Sequence, residues 1–130
     1  MNNQKNHGQK TVLLVDDEPY YHHVYGEALR QAHFNVIETE SGAEAMRLVR
    51  NGGVDAVVLD LLMPGASGMT FLKYLDRRHA PPVAVLTSLD SAMDRQDALK
   101  LGASTFLVKY RTTPQNLCAT VERLVGEQVN

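Results

Sequence analysis

The chain has 130 residues, 44% of them apolar, which is the composition of an ordinary globular domain. Its net charge of −2 creates no strong field that would attract nucleic acid or an anionic membrane surface. The single cysteine, Cys118, excludes an internal disulfide, and residues 1–10 contain no apolar stretch of a signal peptide. No apolar run reaches the roughly 20 residues that cross a bilayer. We therefore expect one cytoplasmic domain that contacts neither membrane nor nucleic acid.

From residue 11 onward, short apolar or β-branched runs alternate with segments of helical period. The runs predict strands that are mostly buried on both faces: residues 11–15, 34–38, 56–59, 83–87 and 105–108. This alternation predicts an α/β fold, a doubly wound unit around a five-stranded parallel sheet. We assign residues 11–125 to this domain, residues 1–10 to a disordered lead-in and residues 126–130 to a C-terminal tail.

The predicted helices begin at recognisable residues. Pro19 suits the first turn of the first helix, and Ser41 with Glu44 has the spacing of a capping box at the second. Ser67 or Gly68 is predicted to open the third helix, whose apolar face is Phe71, Leu72 and Leu75. Thr113 is the predicted N-cap of the last helix, with Pro114 at its first position. The first helix also has apolar residues at helical spacing, which predicts its inward face: Tyr21, Tyr25, Ala28, Leu29 and Ala32.

Polar residues end or follow four of the five predicted strands. The first strand is followed by three acids, the third by one, and the last two strands by hydroxyl and basic residues: Asp16, Asp17, Glu18, Asp60, Thr87, Ser88 and Lys109. Because the carboxyl ends of parallel strands share one edge of the sheet, where ligands bind, we expect these side chains to converge. The second strand leads into Glu38, Thr39 and Glu40, which we place further out.

Carboxylates that converge in this way repel one another unless one is protonated or a cation lies between them. Mg²⁺ prefers carboxylate, carbonyl and water oxygens, and such sites leave room for a phosphoryl oxygen. Lys109 offers a compact positive charge and Thr87 a hydroxyl donor to other phosphoryl oxygens. The pattern therefore predicts phosphoryl transfer onto a carboxylate, promoted by positioning and charge neutralisation.

Four segments carry a family resemblance, in this order along the chain: VLLVDDEP over residues 12–19, VLDLLMP over residues 58–64 with Gly68, the Thr87-Ser88 pair, and Lys109. Together they resemble the receiver domain of bacterial response regulators over about residues 11–125. The resemblance implies a flavodoxin-like sheet with strand order 2-1-3-4-5. It also implies a Mg²⁺ cofactor.

The resemblance implies a role for each acidic residue at this edge. Asp60 is the expected phosphoacceptor. Asp17 and Asp60 are the expected Mg²⁺ ligands, joined by the backbone carbonyl of Leu62, and Asp16 is expected to act through ordered water.

The resemblance also implies how the phosphoryl group is held and sensed. Thr87 and Lys109 are expected to bind phosphoryl oxygens. Thr87, Ser88 and Phe106 are the expected switch residues, with the Phe106 ring turning inward behind the threonine. The expected readout surface consists of the fourth helix, the fifth strand and the fifth helix.

The implied function is two-component phosphorelay signalling. The phosphodonor would be a histidine kinase or a histidine phosphotransfer protein, and the output would be a contact with a downstream protein effector. Such a module catalyses only its own phosphorylation and dephosphorylation, so it is not an enzyme with an external product. A monomer and a phosphorylation-dependent dimer both fit, as do a single-domain protein and a receiver excised from a longer regulator.

Four positions depart from the pattern or qualify it. Receivers usually have Lys-Pro after the fifth strand, whereas Tyr110 follows Lys109 here, so we expect a trans peptide because cis bonds before other residues are costly. Phe106 lacks a hydroxyl, so packing alone is expected to hold it. In receivers the positions two residues after the acceptor and two after the threonine influence how the attacking water is oriented, and here they are Leu62 and Leu89. Neither side chain can hydrogen-bond to water, which leads to the hypothesis of slow self-dephosphorylation.

Other functions remain open. The chain could be a pseudo-receiver that serves only as a scaffold, although the set of site residues is complete. A haloacid-dehalogenase-type phosphatase would need Asp-x-Asp after the first strand, and a flavin or nucleotide binder would need a Gly-rich loop there. Asp16, Asp17 and Glu18 could also only cap a helix, and His22 and His23, on different helix faces, are predicted to be surface residues.

Overall fold

The computed structural model describes residues 8–63 and 68–126. Strands and helices alternate along these residues: β1 Thr11–Val15, α1 Pro19–Gln31, β2 Asn35–Thr39, α2 Gly42–Arg50, β3 Ala56–Leu59, α3 Gly68–Tyr74, β4 Val83–Thr87, α4 Ala92–Lys100, β5 Thr105–Val108 and α5 Pro114–Gly126. A 3-10 turn, Lys109–Arg111, joins β5 to α5. Residues 1–7 of the expected lead-in and 127–130 of the expected tail lie outside the described residues. No described helix is long and apolar enough to cross a membrane.

The five strands form one parallel sheet with the order β2-β1-β3-β4-β5, as expected for a flavodoxin-like fold. β1 pairs with β2 on one side and with β3 on the other. The strand order therefore reverses direction beside β1, and the carboxyl ends of β1 and β3 flank the crevice where ligands of such sheets bind. This topology brings residues from the beginning, middle and end of the chain to one edge.

Helices cover both faces of the sheet, because alternate strand residues point to opposite sides. On one face, strand residues such as Leu13, Leu59 and Val85 pack with residues of α2, α3 and α4, including Phe71 and Ala98. On the other face, strand residues pack with α1 and α5 in a second cluster: Val12, Leu14, Val58, Leu86, Tyr25, Leu29, Leu117 and Val121. The sheet is thus held between two apolar layers.

Local signals predicted most boundaries, with three corrections. β2 begins at Asn35, one residue later than expected, and extends to Thr39. The Ser41 hydroxyl accepts from the Glu44 amide at 3.1 Å, but the Glu44 carboxylate bonds the Thr39 hydroxyl, so only half of the capping box forms. The described part of α3 ends at Tyr74, although Leu75 continues the apolar period.

Candidate functional site

The charged residues that follow β1, β3 and β5 meet at the carboxyl edge of the sheet. The Lys109 Nζ lies 2.8 Å from Asp16 Oδ2, 3.0 Å from Asp60 Oδ2 and 3.2 Å from Glu18 Oε1. Backbone bonds prolong the sheet here, since the Asp60 amide donates to the Val15 carbonyl at 3.0 Å. The predicted convergence of these strand ends is therefore observed.

Lys109 is buried among carboxylates. Burial by itself lowers the pKa of Lys109, but the hydrogen bonds to Asp16 and Asp60 outweigh it, and the pKa is raised above its ordinary value of 10.5. The ammonium therefore stays charged over the physiological pH range. It is the only cation within bonding distance of these carboxylates among the described residues.

Asp16 and Asp60 are equally buried but are bonded differently. Burial raises the pKa of Asp16 above its ordinary 3.8, and hydrogen bonds from Lys109 and from the Glu18 amide oppose this only in part. The second oxygen of Asp60 accepts from the Leu62 amide at 3.0 Å. Both oxygens of Asp60 are thus held by donors, which fixes the orientation of the carboxylate.

The acidic group fits a hard divalent cation. One carboxylate oxygen from each of Asp16, Asp17, Glu18 and Asp60 lies within 4.8 Å of the others. Oxygen donors of this kind suit Mg²⁺. Four carboxylates face one ammonium, so the group has an excess of negative charge that a cation would neutralise.

The hydroxyl and aromatic residues predicted as switch elements lie on β4 and β5. Thr87 is fully buried at the end of β4, pairs with Val108 across the strands, and its Oγ1 accepts from the Leu89 amide at 3.4 Å. Ser88, the next residue, is exposed. The Phe106 ring is already buried, with the Arg95 guanidinium 5.3 Å from its centroid. The expectation that packing alone holds Phe106 is therefore wrong, because a cation from α4 also contacts it.

Comparison with known proteins identifies the family. The model of the response regulator receiver domain matches residues 12–122. The chain belongs to this family. It is 38% identical over 98 residues to the transcriptional regulatory protein CpxR of Escherichia coli (strain K12), covering 75% of this chain and 42% of that protein.

Other relatives and structures agree. The response regulator GtcR of Aneurinibacillus migulanus is 31% identical over 118 residues, which covers 91% of this chain and 47% of GtcR. The receiver thus spans less than half the length of these curated relatives. The chemotaxis protein CheY4 of Vibrio cholerae superposes with a TM-score of 0.81 at 27% identity, covering 90% of this chain and 99% of CheY4. The BeF3-activated receiver domain of Klebsiella pneumoniae RstA superposes with a TM-score of 0.82 at 29% identity, covering 89% of this chain and 98% of that domain.

Gly68 of this receiver is required by a close approach of backbone to backbone. A Cβ at this position would lie 2.5 Å from the Asp60 carbonyl oxygen and 2.8 Å from Leu61 Cα. No side chain can occupy such a space without moving the segment that carries the Asp60 carboxylate. Pro64 and Ser67, which belong to the motif and to the predicted helix start, lie outside the described residues.

Glu18, which the sequence placed at this edge without a role, and Tyr21, which it placed only in the core, both contact Lys109. Glu18 does not cap α1 with its side chain; its carboxylate turns toward Lys109 instead. The Tyr21 ring lies with its centroid 3.8 Å from the Lys109 Nζ. The apolar period of α1 indicated that Tyr21 faces inward, but it gave no sign of what the ring contacts.

The segment after β5 differs from the usual receiver pattern. The Lys109-Tyr110 peptide is trans, as expected, since no described residue has a cis bond. Tyr110 is exposed, and its hydroxyl bonds Asp90, which also pairs with Arg111 at 3.2 Å. These contacts join the 3-10 turn to the loop that follows β4.

The prediction for His22 is wrong, whereas His23 is exposed as predicted. The His22 side chain is largely buried, with Nδ1 3.5 Å from Glu38 Oε1 and Nε2 without a partner among the described residues. His22 thus contacts Glu38 of the edge strand β2. Glu38 also pairs with Arg30 at 2.8 Å, which agrees with its placement outside the receiver site.

Proposed function

We propose that this receiver accepts a phosphoryl group on Asp60 from a histidine kinase or a histidine phosphotransfer protein, in a Mg²⁺-dependent reaction. Phosphorylation then changes a protein-binding surface on α4, β5 and α5, which contacts a downstream protein effector. The observation that carries the proposal is the Lys109 ammonium, 3.0 Å from the Asp60 carboxylate in a buried acidic site. Receiver domains are signalling modules, and the proposed chemistry acts on the module itself.

The transfer is a displacement at phosphorus. An Asp60 carboxylate oxygen forms a bond to phosphorus while the bond from phosphorus to the donor's imidazole nitrogen breaks, and its electron pair stays with the imidazole. Lys109 can redirect its hydrogen bonds from the carboxylates to a phosphoryl oxygen, since an ammonium has three donors. The buried Thr87 hydroxyl is the proposed donor to a second phosphoryl oxygen.

Asp17, Asp60 and the Leu62 carbonyl are the proposed Mg²⁺ ligands, with Asp16 acting through water. When bound, the ion neutralises charge on the phosphoryl oxygens. The carboxylate-rich donor set supports this assignment, because hard oxygen ligands are what Mg²⁺ prefers.

The contacts of Thr87 and Phe106 support a route from the site to the proposed readout surface. Thr87 pairs with Val108 on β5, and Phe106, two residues earlier, contacts Arg95 of α4. A movement of Thr87 toward a phosphoryl group would therefore change packing around Phe106 and the position of α4. Because Phe106 is already buried, the proposed switch repacks this ring rather than bringing it in from solvent.

The first experiment bypasses the unknown kinase. The purified protein is incubated with Mg²⁺ and acetyl phosphate, and its intact mass is recorded beside Asp60→Ala and beside an EDTA control. We expect the gain of one phosphoryl group, absent in Asp60→Ala and absent without metal. A folded protein that gains no phosphoryl group, and that also binds no beryllofluoride, would contradict the proposal and favour a pseudo-receiver scaffold.

A further inference from the structure

Three tyrosines lie at the start of α1, beside the receiver site. The Tyr21 and Tyr25 rings stack with centroids 5.7 Å apart and planes 10° from parallel, and Tyr20 meets Tyr21 edge-on at 5.1 Å. Residues four apart share one face of a helix. The stack therefore presents one aromatic surface of α1 toward the end of β5.

This surface contacts the Lys109 side chain. The ammonium bonds three carboxylates, and the Tyr21 ring lies against it with the centroid 3.8 Å from Nζ. A cation at this distance is attracted by the negative face of the ring, more strongly where water is excluded. The ring fixes the position of the cation without occupying any of its donors.

The same aromatic surface also contacts the Lys109 backbone. The buried Tyr25 hydroxyl donates to the Thr112 carbonyl at 2.9 Å and lies 3.5 Å from the Lys109 carbonyl. Tyr110, rather than proline, follows Lys109, so no proline ring stiffens the chain here. The stack thus holds Lys109 at both its backbone and its charged end.

We propose that Tyr21, supported by Tyr25, is a positioning residue that keeps the Lys109 ammonium in place while its hydrogen bonds pass from carboxylates to a phosphoryl oxygen. This inference rests on the proposed function and deepens it. A lysine side chain is long and flexible, and ordering it at the moment of transfer costs free energy. An aromatic ring reduces that cost because it attracts the cation and competes for none of its N–H donors.

Beryllofluoride, which mimics a phosphoryl group on a carboxylate, tests the role of the ring. Its Kd is measured by NMR titration in saturating Mg²⁺ for the wild type, Tyr21→Leu and Tyr21→Phe. We expect Kd to rise about tenfold in Tyr21→Leu and to change less than about twofold in Tyr21→Phe, which keeps the ring. Tyr74→Leu is the matched control, since Tyr74 is exposed on α3 with Lys73 above its ring. It should bind as the wild type does.

A second readout does not depend on phosphoryl chemistry. The Lys109 ε-methylene protons, beside the Tyr21 ring, should show an upfield ring-current shift in the wild type and in Tyr21→Phe, and lose it in Tyr21→Leu. Circular dichroism and urea unfolding establish that each variant is folded, and Tyr21→Met replaces Tyr21→Leu if the latter is not.

The outcomes separate the two proposals. A folded Tyr21→Leu that binds beryllofluoride as tightly as the wild type, or a Tyr21→Phe as weak as Tyr21→Leu, would overturn the positioning role. A wild type that shows the upfield shift but binds no beryllofluoride would overturn the proposed function, and the positioning role with it. A tenfold higher Kd for beryllofluoride in Tyr21→Leu, a nearly unchanged Kd in Tyr21→Phe, and the upfield shift in the wild type would together support both proposals.

Discussion

Two sets of ion pairs in this receiver use the same chemistry in opposite surroundings. The side chains of Lys109, Asp16 and Asp60 are 2–3% exposed. Arg47 and Glu44, which pair at 3.4 Å on α2, are 60% and 49% exposed. Water solvates both charges of the α2 pair whether or not they meet, so that pair contributes little. The charges at the carboxyl edge have lost their water and depend on one another.

The buried set is also unbalanced in charge. Asp17 and Glu18 add to Asp16 and Asp60, so that Lys109 faces four acidic groups. Asp17 is half-buried and Glu18 is exposed, but Asp16 and Asp60 alone outnumber the single ammonium of Lys109. This excess of negative charge destabilises the free protein and favours any cation that neutralises it. The α2 pair is therefore an ordinary solvated surface, whereas the acidic group at the carboxyl edge has an excess of negative charge that a cation would reduce. Substitutions at the carboxyl edge should therefore change the free energy of unfolding more than a substitution in the α2 pair does. One of them should raise it.

Lys109→Met should have the largest effect. It leaves Asp16 and Asp60 buried without their cation, and we expect a loss of about 3 kcal/mol in the free energy of unfolding at pH 7 without metal. Mg²⁺ should restore part of that loss and should bind more tightly, because the ammonium no longer competes for the carboxylates. Phosphorylation by acetyl phosphate should fall about 100-fold or more. Urea unfolding and intact mass measure these effects.

Lys73→Met is the matched control, since Lys73 is exposed on α3. It should change the free energy of unfolding by less than about 0.5 kcal/mol. If Lys109→Met and Lys73→Met lost equal amounts of unfolding free energy, burial would not distinguish the receiver site from the surface.

Leu62→Asn should accelerate dephosphorylation. The Leu62 side chain is 48% exposed beside Asp60, and Leu89 packs against the core near Thr87, so neither offers a hydrogen bond to an attacking water. An amide at position 62 would offer one, and we expect about tenfold faster loss of the phosphoryl group. Decay of the phosphoprotein mass after removal of the donor gives the rate. Leu99→Asn, 42% exposed on α4, is the control.

Fast hydrolysis in the wild type, unchanged by Leu62→Asn, would contradict the hypothesis of a long-lived phosphoryl group. It would also show that apolar side chains at the rim of the acidic group do not limit the access of water.

Asp16→Asn should stabilise the metal-free protein. Burial raises the pKa of Asp16 in the folded state above 3.8, so the folded state binds the proton more tightly than the unfolded state does. Stability then falls as pH rises from 3.8 through the folded pKa, and the cost persists at pH 7. The asparagine variant lacks this cost, and we expect a gain of about 1 kcal/mol at pH 7. The gain should shrink as pH falls through the folded pKa of Asp16.

The affinity of the wild type for Mg²⁺ should depend on pH in the opposite sense to its stability, so that it rises as pH rises. The ion favours ionised carboxylates, so its affinity for the wild type should weaken as pH falls, beginning above the pH expected for an ordinary aspartate. Isothermal titration at a series of pH values between about pH 5 and pH 8 measures this. A metal-free Asp16→Asn less stable than the wild type at pH 7 would show that Asp16 mainly supports the fold.

Much of this architecture is predictable because its signals are local. Buried parallel strands appear as short apolar runs, and their ends place Asp16, Asp60 and Lys109 at one edge once the sheet is parallel. The bounds of β1, β3, β4 and β5 match the predicted runs. The predicted bounds of β2 and α3 are wrong where an apolar residue lies just outside the element. Phe34 precedes β2, and Leu75 follows the described part of α3.

The rest depends on how distant elements pack. The inward position of Tyr21 follows from its helical spacing, but its contact with Lys109 requires the rotation of α1 relative to β5, which no local pattern contains. The sequence allows Glu18 either to cap α1 or to join the site, and its ion pair with Lys109, 91 residues away, decides between them. His22 was expected at the surface, and it is covered because β2 brings Glu38 against α1.

Arg47→Gln should have the smallest effect on the free energy of unfolding, and it tests the exposed pair on α2. The Arg47 to Glu44 pair joins adjacent turns of α2, and such exposed pairs contribute about 0.2–0.5 kcal/mol. We expect a loss within that range by urea unfolding, and we expect it to vanish at 1 M salt, where screening acts over about 3 Å. The effect of Lys109→Met should change far less with salt, because buried charges are poorly screened. If the Arg47→Gln loss were large or independent of salt, exposure would not explain why the two sets of ion pairs differ.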